Sequence, residues 1–270
     1  MKFIAYSMAA LLAGTSLAVA ADSKTAKAGQ SCSYKVGSHA DFIAPADYVA
    51  TAQKNQAALG ADKGEFETTE DFNKRVAAAQ KEVGTRPVLV ETVQDPTDIE
   101  SSIKYDADQN RFKVFVGAWI NFLDGVNYTT MDRVVLQKTV NSQDRYVASN
   151  AYGQEKVVRR EDLDIIAIKS WKTFPKDLNW KYETTEDYAF NVYIPVPPEQ
   201  APTFKVGLRS GIEFLPKDPY FSTDVDHIKP TMDSPEDMTY NFRQFEGVIL
   251  CAVIADRDGK VVKTIQPLIK

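Results

Sequence analysis

Apolar residues recur at every third or fourth position over Thr69–Val83, and this spacing predicts an amphipathic helix. Thr68 and Asp71 have the spacing of a capping box, in which side chains satisfy free backbone donors of the first turn. Gly84 favours a helix end, and Pro87 prevents continuation. We expect the apolar stripe of this helix to face a sheet. The stripe consists of Phe72, Val76, Ala79 and Val83.

A second helix is predicted upstream, over residues 46–59. Pro45 suits the first helical turn, and Gly60 follows the last one. Its apolar stripe is thin and is carried mainly by Tyr48, Val49 and Ala52. Together the two helices would form a helical hairpin within residues 41–86.

From Val88 onward the apolar spacing changes from a helical to an alternating pattern, which is typical of strands with one buried face. The clearest example is Arg111–Phe122. Near the end of the chain, apolar runs at 247–255 and 260–266 flank an Asp-Gly turn, which predicts a hairpin. Further strands are predicted at 133–140, 145–149, 156–160, 163–172, 188–194 and 204–214.

These elements predict an α+β fold in which an N-terminal helical hairpin packs on an antiparallel β-rich domain of about nine strands. The strands would form a sandwich or a barrel-like arrangement. Residues 41–270 are expected to be one domain, helical over 41–86 and β-rich over 87–270. A chain of this length buries enough surface for a core without a structural metal, and no cofactor is expected.

Residues 1–20 are expected to be a secretory signal peptide, because Lys2 precedes an apolar run that ends in Ala18, Val19 and Ala20. Residues 21–40 are small and polar, which predicts a flexible lead-in. No later apolar run reaches the roughly 18 residues that a membrane-spanning helix needs. The protein is therefore expected to be periplasmic or secreted, with no transmembrane segment.

The charge balance argues against nucleic-acid binding. Removal of Lys2 with the signal peptide leaves 31 of the 32 basic residues against 37 acidic ones, so the net charge is −6. Nucleic-acid binding generally requires a basic surface. The sequence identifies no partner, and an envelope glycan or an envelope protein are the candidates that an exported chain leaves open.

Two cysteines remain, Cys32 and Cys251. In an oxidising compartment an even number of cysteines favours a disulfide, which here would join the N-terminal region to a strand near the C-terminus. The alternative is that Cys251 is a buried free thiol within an apolar run and that Cys32 is dispensable.

Residues 216–238 are rich in proline and acidic residues and predict a long loop, a kind of segment that is often functional. Within it, Asp224, Asp226 and His227 are candidate ligands of a divalent metal, since carboxylate and imidazole groups suit such ions. The alternative interpretation is an acidic surface loop without a metal, and we assign no metal site on this signal alone.

Trp171, Trp180 and Tyr182 lie among several lysines and form a candidate binding surface. Aromatic faces beside cations can bind sugars or anionic polymers. The alternative is that these aromatic residues belong to the core and that the lysines are solvated.

No catalytic or cofactor-binding motif is complete in this chain. The Ser101–Lys104 spacing matches that of penicillin-interacting enzymes, but the accompanying motifs are missing. The leading functional hypothesis is therefore a non-catalytic exported protein that acts by binding in the bacterial envelope. The alternative is a hydrolase with a carboxylate-based active site that acts on an envelope glycan or ester.

The run Glu65–Arg75 follows the pattern E-F-E-T-x-x-[DE]-F-x-x-R. In this run, and more weakly at residues 105–108 and 149–153, the chain resembles a group of bacterial exported proteins of uncharacterised function. Those proteins look like an N-terminal helix followed by many strands. The resemblance implies export and a β-rich region after the helix, and it implies no particular activity.

Overall fold

A computed structural model describes residues 32–59, 63–83, 86–93, 103–122, 131–170 and 188–266. The predicted signal peptide lies outside these residues. Within them, the helices and strands are α1 (Pro45–Leu59), α2 (Thr69–Val83), β1 (Val88–Glu91), β2 (Ile103–Asp106), β3 (Arg111–Phe122), β4 (Met131–Ser149), β5 (Glu155–Ser170), β6 (Tyr188–Pro195), α3 (Ala201–Gly207), β7 (Arg209–Ile228), β8 (Glu236–Ala255) and β9 (Val261–Ile265).

The strands form one nine-stranded sheet in the order β1-β7-β8-β5-β4-β3-β2, with β6 beside β3 and β9 beside β8. The expected β-rich fold is confirmed, but two of its details are wrong. The pairing is mixed, because β5 and β8 run parallel while the other neighbours are antiparallel. The sheet is also not closed, since β1 and β2 do not pair with each other in the part that the structure describes.

Four long strands dominate the sheet. β4 and β5 form one antiparallel hairpin, β7 and β8 form another, and β5 lies beside β8. The strands predicted separately at 133–140 and 145–149 are both parts of β4. Those predicted at 156–160 and 163–172 both belong to β5 as far as residue 170, and residues 171 and 172 lie outside the described residues. Pairing continues through two register shifts in β4, so its polar residues do not end the strand.

The main core lies on the sheet face that helices α1 and α3 cover, which we call the helix face. Tyr48 of α1 contacts Phe245 edge-on, with ring centroids 4.8 Å apart, and Phe214 in the same manner. Burial raises the pKa of the Tyr48 hydroxyl to about 12, with a smaller contribution from Tyr220. Phe204 of α3 stacks on Phe112. Helix α1 therefore forms at the predicted place because its thin apolar stripe meets a large aromatic surface.

Helix α2 has the predicted bounds and one of the two predicted side-chain-to-backbone bonds of the capping box, while the second contact joins the two side chains instead. The Asp71 backbone N–H donates to the Thr68 hydroxyl oxygen at 3.1 Å, and the Thr68 hydroxyl donates to the Asp71 carboxylate at 2.6 Å. Its packing differs from the expectation, because α2 lies mainly against α1 rather than the sheet. Ala79 is buried, while Phe72 is only half-buried. The cap thus fixes where this helix starts, and α1 provides its packing surface.

The opposite face of the sheet is covered near β9 by residues 32–43. The backbone N–H groups of Gly37 and Ala40 donate to the carbonyls of Val261 and Gly259, both at 2.8 Å. The predicted disulfide is confirmed: Cys32 is bonded to Cys251, with a Cα–Cα distance of 5.5 Å. The described part of the predicted flexible lead-in, residues 32–40, is thus held against the sheet.

The prediction of a long loop at residues 216–238 is wrong, because most of this segment is strand. β7 extends through residue 228, and only 229–235 connect it to β8. Pairing is interrupted between Pro216 and Phe221, where Pro219 follows a cis peptide bond, and then resumes. The predicted strand at 204–214 is also partly wrong, because Ala201–Gly207 is helical and β7 begins only at Arg209.

Gly211 is required where β7, β1 and residues 32–43 meet. A Cβ atom at this position would lie 2.5 Å from the Val90 carbonyl oxygen and 2.9 Å from the Phe42 ring. We expect Gly211→Ala to lower the free energy of unfolding by about 1–3 kcal/mol, because the backbone of β1 would have to move. Urea unfolding measures the change. Gly64→Ala is the matched control, since its nearest contact would be an ordinary 3.6 Å. Equal stability of the two variants would contradict this packing.

Candidate functional site

The turns of the two long hairpins lie at the same end of the sheet. Because β5 and β8 are parallel, Arg159 near the start of β5 is opposite Glu236 at the start of β8. The Arg159 backbone N–H donates to the Pro235 carbonyl at 3.0 Å, which joins the two hairpins at their ends. We call this region, residues 145–160 and 227–237, the hairpin ends.

A shallow groove of about 540 Å³ opens at the hairpin ends. By strand register it lies on the face opposite the helices, where Arg145, Arg159 and Glu236 are neighbours on β4, β5 and β8. The groove is lined by Arg145, Val157, Arg159, Asp233, Ser234, Pro235 and Glu236.

Arg145 is the available cation of this groove. It is directly opposite Arg159, and like charges at opposed strand positions destabilise a sheet. Arg159 is compensated, because its Nη2 donates to Glu236 at 2.8 Å and its Nε lies 3.7 Å from Glu161. Arg145 is exposed and forms no ion pair with any residue that the structure describes. An acidic group in the groove would therefore satisfy Arg145 and relieve the repulsion.

The rest of the groove supplies hydrogen-bond acceptors and a small apolar patch. Asp233 and Ser234 belong to a turn in which the Ser234 backbone N–H donates to the Thr231 hydroxyl oxygen at 3.0 Å. Val157 is 59% exposed although it lies in a strand. Carboxylates and a hydroxyl beside a free arginine suit a molecule that carries both hydroxyl groups and an acidic group.

Asp237 is the centre of a polar cluster on the helix face of the hairpin ends. One carboxylate oxygen lies 2.7 Å from His227 Nε2, and the other accepts from the Tyr146 hydroxyl at 2.9 Å and from Arg160 Nε at 3.2 Å. The hydrogen bond with His227, followed by those with Tyr146 and Arg160, lowers the pKa of Asp237. The same contact with Asp237 raises the pKa of Tyr146.

These four residues connect all four long strands, because Tyr146 lies on β4, Arg160 on β5, His227 on β7 and Asp237 on β8. Asp237 is ionised at neutral pH and is surrounded by donors, so it does not suit a general acid. The cluster instead fixes the strands behind the groove.

The candidate metal ligands are not brought together. Asp224 and Asp226 both bind Arg133, at 2.5 and 2.6 Å, on the face opposite the helices. His227 is on the helix face, where it binds Asp237. Successive side chains of a strand point to opposite faces, so this separation follows once residues 224–227 are in β7. The candidate surface residues Trp171, Trp180 and Tyr182 lie outside the described residues.

Two features were missed from the sequence. The first is the pairing of Arg145 with Arg159, which the register of the β4–β5 hairpin imposes. That register is set by the turn at residues 150–154, where the Gly153 N–H donates to the Asn150 carbonyl. The other is Glu213, which is 1% exposed and lies beside the disulfide on the face opposite the helices. Its only sequence signal is a charge between the apolar residues Ile212 and Phe214.

Comparisons with protein families, with curated proteins and with solved structures found no match. Among the described residues, no helix is long and apolar enough to cross a lipid bilayer. The Cys32–Cys251 disulfide is typical of proteins in oxidising compartments.

The lowered pKa of Asp237 predicts a pH dependence of stability. A carboxyl group whose pKa falls on folding stabilises the protein above its unfolded pKa, about 3.9 for aspartate, and loses this contribution as pH falls through the folded value. We therefore expect Asp237→Asn to destabilise the protein at pH 7, and the difference from the unaltered protein to shrink below about pH 4. Urea unfolding at several pH values measures this.

Asp108→Asn is the control, because Asp108 is an exposed turn residue outside the cluster. A stability difference for Asp237→Asn that persists unchanged into the acid range would show that the Asp237 charge is not the cause.

Proposed function

We propose that this protein is an exported, non-catalytic binding protein of the bacterial envelope, and that the hairpin-end groove binds its ligand. The ligand class that fits is a glycan bearing carboxylate groups. The observation that carries this proposal is Arg145, an exposed guanidinium that lines the groove, opposes Arg159 and has no acidic partner among the described residues. Arginine binds carboxylates through paired hydrogen bonds, which gives both affinity and orientation.

The other groove residues support a sugar-like ligand. Asp233 and Glu236 can accept hydrogen bonds from hydroxyl groups, and Val157 and Pro235 offer apolar contact to the carbon faces of a ring. Arg159, which Glu236 already neutralises, would hold the neighbouring carboxylate in place rather than bind a second acidic group.

Export is supported by three independent features. Residues 1–20 have the pattern of a signal peptide, the disulfide is typical of an oxidising compartment, and Glu65–Arg75 resembles a motif of exported proteins. None of these depends on the groove.

A binding role is favoured over the alternative, a hydrolase with a carboxylate-based active site. Such an enzyme needs one carboxylic acid that remains protonated, and therefore a raised pKa. The pKa of Glu67 is lowered chiefly by its hydrogen bond with Arg75, and the pKa of Asp237 is lowered chiefly by its hydrogen bond with His227. Both shifts favour the ionised form, which suits binding and orientation.

The groove is tested with fragments of an envelope polysaccharide, titrated calorimetrically before and after its carboxyl groups are reduced to alcohols. We expect the untreated fragments to bind and the reduced ones to bind at least about tenfold more weakly, since a charge-assisted hydrogen bond contributes about 1.5–3 kcal/mol. Arg145→Gln should weaken binding to the untreated fragments to a similar extent.

Lys156→Gln is the matched control. It removes the same charge from an exposed residue of the same hairpin, next to Val157 but outside the groove. If Lys156→Gln and Arg145→Gln have equal effects, net charge rather than the groove binds the ligand. Release of shortened fragments or free ester products during the titration would support the hydrolase.

A further inference from the structure

Glu213 is a buried acidic residue that a structural disulfide does not explain. It lies on β7 directly opposite Cys251 of β8 and is 1% exposed. Its Oε2 accepts one hydrogen bond, from the Ser33 backbone N–H at 2.8 Å, and it forms no ion pair with a basic side chain of the described residues. A buried carboxylate is costly unless a cation or several donors compensate it. The site therefore lacks a positive partner.

The Glu213 carboxylate lies close to both sulfur atoms of the disulfide. Glu213 Oε2 lies 3.2 Å from Cys251 Sγ, and one ligand atom from each of Cys32, Glu213 and Cys251 lies within 4.8 Å of the others. Two ligands of a tetrahedral zinc ion are about 3.6–3.8 Å apart when their bonds to the metal are about 2.1–2.3 Å. A modest separation of the two sulfurs would thus create a three-ligand site.

We propose that the reduced form of this protein binds one Zn²⁺ through Cys32, Cys251 and Glu213. The disulfide and the zinc site are then two states of the same cluster. Two thiolates and a carboxylate form a ligand set that suits zinc, and the metal supplies the positive charge that Glu213 lacks. The zinc site is separate from the hairpin-end groove and does not rest on the proposed glycan-binding function.

The redox step is balanced by a dithiol. A small dithiol gives two electrons and two protons to the Cys32–Cys251 bond and becomes a cyclic disulfide, leaving two cysteine thiols. Zn²⁺ then displaces both thiol protons and is bound by two thiolates and the Glu213 carboxylate. In the reverse direction a small-molecule disulfide accepts two electrons from the two thiolates and two protons from solvent and becomes two thiols. The Cys32–Cys251 bond reforms and the ion is released.

The ligands remain close after reduction, because other bonds hold residues 32–43 on the sheet. The Gly37 and Ala40 backbone N–H groups donate to β9 and to the turn before it, and the Val261 N–H donates back to the Ser38 carbonyl at 2.8 Å. Cys251 and Glu213 are fixed by the β7–β8 pairing. A bound metal would replace the covalent link between the N-terminal segment and the two strands.

The test uses the full exported chain, reduced with a dithiol and freed of it by gel filtration without oxygen. Titration with Co²⁺ should give the thiolate-to-cobalt absorption of a one-to-one complex, and Zn²⁺ should displace the cobalt. We expect Glu213→Gln to bind Zn²⁺ more than tenfold more weakly in competition with a chelator, and Cys32→Ser to lose the thiolate absorption of a two-sulfur site.

Asp41→Asn is the control, because it removes an exposed carboxylate from the same region. Like Glu213, Asp41 lies close enough to Tyr34 to contribute to the raised pKa of that hydroxyl. It should bind zinc as the unaltered protein does. Far-UV circular dichroism reports whether each reduced protein is folded. If the reduced chain unfolds without metal, Zn²⁺ should restore the fold of the unaltered protein and not of Glu213→Gln. Equal zinc affinity of these two proteins, or a folded dithiol form that binds no zinc, would overturn the proposal.

Discussion

The parallel contact between β5 and β8 is the constraint on which the rest of the architecture depends. Two long antiparallel hairpins can be placed side by side in several registers, but the pairing of Arg159 with Glu236 puts both turns at one end of the sheet. The Arg159 N–H to Pro235 carbonyl bond fixes that arrangement. A groove at the hairpin ends exists only because two turns from distant parts of the chain meet there.

Strand alternation then divides the polar residues of the hairpins between two faces. On one face, Asp224 and Asp226 compensate the buried Arg133, which also lies over the Phe242 ring. On the helix face, Asp237 forms hydrogen bonds with side chains of the other three long strands. In both clusters, carboxylates of β7 or β8 are paired with basic side chains of other strands. This compensation allows segments rich in acidic residues to form long strands. By contrast, Arg145 has no such partner among the described residues, and this difference distinguishes a candidate binding residue from a structural one.

Local features were predictable, and nonlocal ones were not. The bounds of α2 and β3 follow from capping and alternation within a dozen residues, and the two cysteines were correctly paired because no other pairing exists. Residues 216–238 looked like a loop because the partners of their charges, such as Arg133, are far away in sequence. Their prolines also fall at a register shift and in a turn, where a strand tolerates them. The groove needs the parallel register, which no short-range pattern encodes.

The two faces of the sheet near β9 are covered by very different means. Helices α1 and α3 pack on the large hydrophobic core cluster of one face, so burial of apolar surface is the main interaction that holds them. On the other, residues 32–43 bury Ala40 fully but Cys32, Tyr34 and Phe42 only in part. So little apolar area cannot offset the conformational entropy of ordering this segment, and backbone hydrogen bonds and a covalent link must supply the difference. A link across 219 residues contributes up to about 5 kcal/mol in the chain-entropy model. Glu213 lies under this thinly packed segment, where Ser33 is its one backbone donor among the described residues. The covalent link and the buried carboxyl group therefore lie at the same point of attachment.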